Sequence, residues 1–195
     1  MIISISGVDG AGKSTLISSL AEALSGSKVV APLFTDRERI RSIGEAAEVM
    51  GAASKKQELI YFDYLAGMIG AYLKHKDGDD PILFDRYSID FSVNQAFFGT
   101  VRPRVDEALR MKYPADIEFV ISLPWEVASD RLTRRNDRTS RETDLFLKYA
   151  ASAFLEASRS RDRCFVLDGC APADEVFNSA LRVIKCFSKS LADRT

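Results

Sequence analysis

Gly7-Val8-Asp9-Gly10-Ala11-Gly12-Lys13-Ser14-Thr15 follows a short apolar run at residues 2–6 and runs into the helical stripe Leu16, Ile17, Leu20 and Leu24. Strand, glycine-rich turn and amphipathic helix together complete the GxxxxGK[ST] pattern in its expected setting. The spacing has a chemical reason. Glycines let successive backbone N–H groups turn inward around phosphate oxygens, and the helix that follows adds its positive end. Lys13 is placed to reach the outer phosphates, and the Ser14 hydroxyl to ligate Mg²⁺. The nine residues Gly7, Val8, Asp9, Gly10, Ala11, Gly12, Lys13, Ser14 and Thr15 therefore read as a cradle for a nucleoside triphosphate, with ATP the expected donor.

Working outward, apolar runs at residues 29–34, 81–84 and 117–123, with a weaker one at 164–167, read as further buried strands. Continuous apolar runs of this length suit a parallel sheet covered on both faces. Helical patterns lie between them. Gly26 is placed to cap the first helix, and Phe62, Ala66, Ile69 and Leu73 form a second stripe. The last helix carries Val176, Phe177, Ala180, Leu181, Ile184 and Phe187, with Asp174 and Glu175 at its positive end. Alternating strands and helices predict an α/β fold of right-handed crossovers. With no internal repeat, linker or low-complexity tract, residues 1–195 read as one domain.

Composition narrows the function. The 195 residues carry 27 basic and 28 acidic side chains, a net charge of −1 that argues against a nucleic-acid backbone as main partner. A single histidine, His75, excludes a His-rich zinc site and argues against a Ser-His-Asp triad. Cys164, Cys170 and Cys186 have no CxxC spacing; an odd number fits a reducing cytoplasm, and they read as small apolar fillers. The N-terminal apolar run is too short for a signal peptide, and the longest apolar stretch, residues 59–73, is broken by Asp63. No membrane partner and a cytoplasmic location are expected.

A second motif selects among phosphate chemistries. No NKxD-like guanine reader is present, as a Ras-type switch would need, and the chain is short for a motor ATPase. Ile82-Leu83-Phe84-Asp85-Arg86-Tyr87 instead puts Asp85 at the C-terminal end of a buried strand, where ligands of open α/β sheets gather. A carboxylate there can hold Mg²⁺ through water, and Arg86 offers a rigid fork for a phosphate; an internal Asp85–Arg86 ion pair is the plainer alternative. Arg131, Arg134, Arg135, Arg138 and Arg141 then form either a solvated helix face or a lid, at about residues 134–143, whose arginines close over the phosphates. Arg134 and Arg138 are the expected lid arginines.

These motifs resemble the thymidylate kinase family of P-loop nucleoside monophosphate kinases over almost the whole chain. GVDGAGKST resembles its P-loop, including the acid Asp9, and FDRY its DR[YH] motif; Phe34-Thr35-Asp36-Arg37 is similar to its FPER-type segment. Pro114-Ala115-Asp116, Asp137-Arg138 and Leu167-Asp168-Gly169 follow in the family's order. The resemblance implies a P-loop NTPase three-layer sandwich, with helices on both faces of a five-stranded parallel sheet ordered 2-3-1-4-5 and an Arg-rich lid. It implies Mg²⁺-dependent transfer from ATP to a nucleoside monophosphate, dTMP to dTDP being the family expectation, and it leaves a homodimer open. Site roles follow: Arg37 and Arg86 grip the acceptor phosphate, Tyr61 stacks on its base, Asp9 orients its sugar, and Ser14 and Asp85 position the metal. Asp9, Lys13, Arg86, Arg134 and Arg138 form the expected catalytic set. Departures fall on the acceptor side: Leu65 stands where a base-reading arginine is expected, and Ser88-Ile89-Asp90-Phe91-Ser92 replaces the residues that usually follow DRY. A deoxynucleoside or other small-metabolite kinase, or a non-catalytic ATP-binding module, remain as alternatives.

Overall fold

The computed structural model describes residues 1–32, 37–51, 53–100, 103–136 and 143–192. Five strands, β1 (Ile2–Gly7), β2 (Lys28–Val30), β3 (Ile82–Asp85), β4 (Ile117–Ser122) and β5 (Cys164–Asp168), form one parallel sheet in the order β2-β3-β1-β4-β5. Eight α-helices connect and flank them: α1 (Lys13–Ala23), α2 (Arg37–Val49), α3 (Lys56–His75), α4 (Ser88–Phe97), α5 (Pro103–Lys112), α6 (Trp125–Arg135), α7 (Asp144–Arg159) and α8 (Ala173–Ala192). The expected order 2-3-1-4-5 is the observed one. β1 lies at its centre, with Ile5 beside Asp85 on one flank and Gly7 beside Ile121 on the other. The chain leaves β1 and β3 at the same edge, side by side, which brings the P-loop next to Asp85-Arg86.

Alternate residues of β1 serve two cores, as the pleat requires. Ile3 and Ile5 join Phe119, Ile121, Leu16, Leu20, Phe154 and Ile184 in the larger cluster, while Ile2 joins Ile82, Phe84, Tyr87 and Phe91 in the smaller. Strand limits follow local chemistry. β3 begins after Pro81, which has no N–H to give a ladder, and Pro81 instead accepts a bond from Lys28 N at 2.9 Å. Pro124 opens α6 and ends the 117–123 run at Ser122. β2 is shorter than the 29–34 run, and residues 33–36 lie outside the described residues.

Two expectations change. The stripe Phe62, Ala66, Ile69 and Leu73 does not face the core: Phe62 and Leu73 are about half exposed, Ala66 is exposed, and Ile69 sits at the flank. α3 instead buries Ile60, Tyr61 and Met68, with Tyr64, Leu65 and Tyr72 alongside. This helix is apolar on two sides, and helical periodicity alone cannot choose between them. The cysteines are likewise not all fillers. Cys164 packs against the core, where burial pushes its thiol up to about 12, but Cys170 and Cys186 are exposed. Among the described residues no helix is long and apolar enough to cross a membrane.

The orientation of α3 is testable with one substitution made at two depths. Met68 is 1% exposed and Met111, on α5, 72%. Met68→Ala should cost about 2–5 kcal/mol in urea unfolding, and Met111→Ala should stay within about 0.5 kcal/mol of the parent. Equal effects would mean that α3 presents another face to the sheet.

Candidate active site

The turn after β1 depends on two glycines. Gly7 has φ +146°, and a Cβ there would lie 2.6 Å from the Ile121 carbonyl oxygen; Gly10 has φ +86°, and its Cβ would lie 2.7 Å from that of Ala128. Backbone therefore packs on backbone at both ends of the loop. Lys13, the first residue of α1, folds back into this turn. Its Nζ donates to the carbonyls of Gly7 at 2.8 Å and Val8 at 3.1 Å, and to Asp9 Oδ1 at 3.2 Å. The ammonium is buried, and burial and the Arg86 charge pull its pKa down against the opposing pull of Asp9 and Asp90.

Arg86 arrives from β3. Its φ of +70° is unusual for a residue with a Cβ, and its N–H is held by the Ile5 carbonyl at 3.1 Å. The guanidinium pairs with Asp9 through Nη2 and lies 3.5 Å from Asp90 Oδ1 through Nη1. No Asp85–Arg86 ion pair occurs among the described residues, so that alternative gives way to an arginine shared by Asp9 and Asp90. Burial alone would raise the Asp9 pKa, but Lys13 and Arg86 outweigh it and hold the carboxyl well below its ordinary range. Asp85 is left facing the cleft with Ser14. Asp9, Lys13, Ser14, Asp85, Arg86 and Arg135 line this cleft, of about 260 Å³. A hydroxyl and a carboxylate, both hard oxygen donors, suit Mg²⁺, which takes one or two protein oxygens and completes its shell with water and substrate phosphates.

A second cavity of about 180 Å³ continues from the first, sharing Gly12, Thr15 and Arg135 with it. Arg131, Gly169 and Ala173 also line it. Gly169 has no room for a side chain there, since a Cβ would lie 2.9 Å from Ile121 Cγ2.

Other expected residues are placed differently. Arg134 points away from both cavities and pairs with Asp130 on the surface, at 3.0 Å. Arg131 and Arg135, one turn apart, line the cavities instead, on the side where Leu132 is buried. That i, i+4 relation was readable in the sequence; what was missing was which face Ala128 presses against Gly10. Asn136, with φ +53°, caps α6. Arg138 and the rest of the lid from 137 to 142 lie outside the described residues, as does the Arg37 side chain at the start of α2. Tyr61 is a core side chain with no exposed ring face, its ring 4.9 Å from Phe91, so the base-stacking role expected of it does not fit. Asp90, which no motif singled out, is fully buried behind Arg86.

Comparison with known proteins agrees with this geometry. A family model described as thymidylate kinase matches residues 5–180. The thymidylate kinase of Thermosipho africanus (strain TCF52B) is 31% identical over 201 residues, covering 95% of this chain and 98% of its own. The probable thymidylate kinase of Methanosarcina acetivorans is 28% identical over 204 residues, covering 95% and 96%. Among solved structures, a deoxyadenosine kinase from M. mycoides with dCMP and dCDP bound superposes with a TM-score of 0.67 at 16% identity, covering 95% of this chain and 100% of its own. At that identity the likeness concerns the fold.

The Asp9 carboxylate is the shared partner of two cations, and its depressed pKa gives its stabilisation a sign with pH. A group titrating lower in the folded than in the unfolded chain contributes fully above its unfolded pKa, about 3.9 for Asp, and loses that contribution as pH falls through the folded value. Asp9→Asn should therefore lower the urea midpoint at pH 7 and differ less from the parent at pH 3. A gap that widens on acidification would contradict the pairing.

Proposed function

The chain belongs to the thymidylate kinase family, and on that premise we propose how its cleft carries out ATP-dependent phosphoryl transfer to a nucleoside monophosphate. The observation that supports the reading best is the convergence of Lys13, Asp9 and Arg86 in one cleft beside Ser14 and Asp85. ATP lies with its phosphates along the P-loop N–H groups and its base in the second cavity, lined by Arg131 and Gly169. Lys13 leaves the Gly7 and Val8 carbonyls and Asp9 to meet the β- and γ-phosphates. Ser14 and Asp85 would hold Mg²⁺, whose charge, when bound, offsets the negative charge gathering on those phosphates. An oxygen of the acceptor phosphate attacks the γ-phosphorus, the bond to the bridging oxygen breaks, and ADP leaves with the electron pair.

Arg86 and Arg37 hold the acceptor phosphate in line, since phosphoryl transfer depends on positioning and electrostatic stabilisation. Arg135 and the lid residue Arg138 add positive charge on the donor side. Asp9, once its cations turn to phosphate, is free to accept a hydrogen bond from the acceptor sugar. Leu65 offers no side-chain donor to a base, and an apolar contact discriminates by only about 1–3 kcal/mol. Base preference is therefore modest, with dTMP one acceptor among several. A homodimer is part of the reading, because the outer face of α3 presents Phe62, Ala66 and Leu73 to solvent.

ADP release measured against a panel of nucleosides and nucleoside monophosphates tests the reading. Turnover should appear with monophosphates, disappear with EDTA and in a folded Lys13→Ala variant, and favour dTMP over the next-best monophosphate by less than about ten-thousandfold in kcat/KM. Turnover with nucleosides alone would move the acceptor to an uncharged class. For the dimer, sedimentation velocity should find two chains per particle and one after Phe62→Glu. An unchanged particle would free the α3 face of that role.

A further inference from the structure

Asp90 is a carboxylate with no access to solvent, yet one of its polar contacts, Arg86, lines the cleft. Its Oδ2 accepts from the Ser6 hydroxyl at 2.5 Å and from the Tyr87 N–H at 3.2 Å, which leaves Oδ1 directed at Arg86 Nη1, 3.5 Å away. Ser6 belongs to the last turnward stretch of β1 and Tyr87 precedes α4, so one side chain ties the central strand, the helix start and the arginine together.

Capping α4 does not by itself account for an aspartate. Asp90 is the third residue of the helix, where an acid can accept the N-cap N–H. A serine or asparagine could accept the same bond without placing a charge at 0% exposure, and a buried charge is costly unless it is paired. The cation it faces is Arg86. Arg86 in turn has two carboxylates of different standing. Asp9 sits on the P-loop, 26% exposed and open to the cleft, where an incoming phosphate can compete with it; Asp90 cannot be reached. A guanidinium has donors enough to keep one partner while exchanging the other.

We propose that Asp90 is a positioning residue for the acceptor phosphate: it anchors Nη1 of Arg86 from the buried side, so that Nη2, released by Asp9, is already aimed when the phosphate arrives. This rests on the reading of Arg86 as an acceptor clamp. Lacking that anchor, the side chain of Arg86 would follow Asp9 toward the P-loop and toward Lys13, whose charge repels it. The acceptor would then have to order the arginine as well as bind it, a cost that falls on acceptor affinity rather than on ATP binding.

Steady-state kinetics of the full chain with Mg-ATP and dTMP tests the proposal in a cycle of Asp90→Asn, Arg86→Ala and the double variant. Asp90→Asn should raise the KM for dTMP about tenfold, with kcat and the KM for ATP nearly unchanged, as expected for one lost charge-assisted contact. In the Arg86→Ala background the same change should add nothing to the KM for dTMP. Asp90→Ser, which also keeps an acceptor for the helix cap, should repeat the rise and guards against one variant failing to fold. A folded Asp90→Asn or Asp90→Ser protein with the parent KM for dTMP would overturn the proposal. So would an equal proportional effect with and without Arg86, which would reduce Asp90 to a helix cap. If Arg86→Ala itself leaves the KM for dTMP unchanged, the clamp reading has failed, and the two failures are told apart.

Discussion

A phosphate-binding site must hold cations close together before any phosphate arrives, and that requirement shapes the edge of this sheet. Lys13 is 6% exposed and Arg86 stands beside it, an arrangement that like-charge repulsion and desolvation both oppose. Asp9 makes it tolerable by bonding to both. On the proposed reading, the P-loop acid stands in for the ligand by occupying the two cations assigned to phosphates. Among the described residues of the cleft, the carboxylates Asp9 and Asp85 stand among Lys13, Arg86 and Arg135, with Asp90 buried behind Arg86. Cations paired in this way can be held together without substrate.

The sheet order supplies the geometry that this pairing needs. With β1 between β3 and β4, the loop that carries Lys13 and the turn that carries Arg86 leave adjacent strands at one edge, while Gly7 and Gly169 both close against the end of β4. Below the site, Ser88 donates to Glu118 at 3.2 Å, and Arg161 pairs with Glu118 at 3.0 Å, fixing the start of α4 to β4. Arg86 is therefore held between two anchored segments, one at Ile5 and one at Ser88. A backbone at φ +70° persists only where the surroundings over-determine it, and here they do.

The donor side was legible in the chain because backbone does most of its work. Gly7 and Gly10 are required by close packing and Gly12 by its φ of +100°, requirements that act over a few consecutive residues and so leave a local pattern. The three central strands β1, β3 and β4 were legible for a similar reason, since they are buried and mostly apolar. By contrast β2 and β5 at the sheet edges, expected to be buried, leave Val29, Phe165 and Val166 partly exposed. What could not be read was phase and reach. Tyr61 and Phe62 are neighbours of like character, and only the packing of α3 on Phe84, Tyr87 and Phe91 decides that the first is core and the second surface. Arg134 and Arg135 differ by one position, and only the contact of Ala128 with Gly10 turns one to the cleft and the other to Asp130. Asp90 is the extreme case: its partner Ser6 lies on β1 and its partner Arg86 in the turn after β3, and a lone acid two residues into a helix reads as an ordinary cap.

The same contrast explains where this chain departs from its family. On the proposed reading, donor phosphates meet backbone groups and one lysine, so a change of side chain there has little freedom, while the acceptor meets side chains, which can be altered together. Leu65 packs beside the smaller core where the family resemblance implies an arginine, and Tyr61 is absorbed into that core, its ring against Phe91 of the segment that also brings Asp90. As hydrogen-bonding contact with a base is reduced, more of the acceptor's hold must come from its phosphate, the one feature that all nucleoside monophosphates share. A second carboxylate behind Arg86 strengthens control of the guanidinium that meets that phosphate. On the proposed reading, relaxed base recognition and an anchored Arg86 are two sides of one adjustment, in which recognition shifts from the variable end of the acceptor to its constant end.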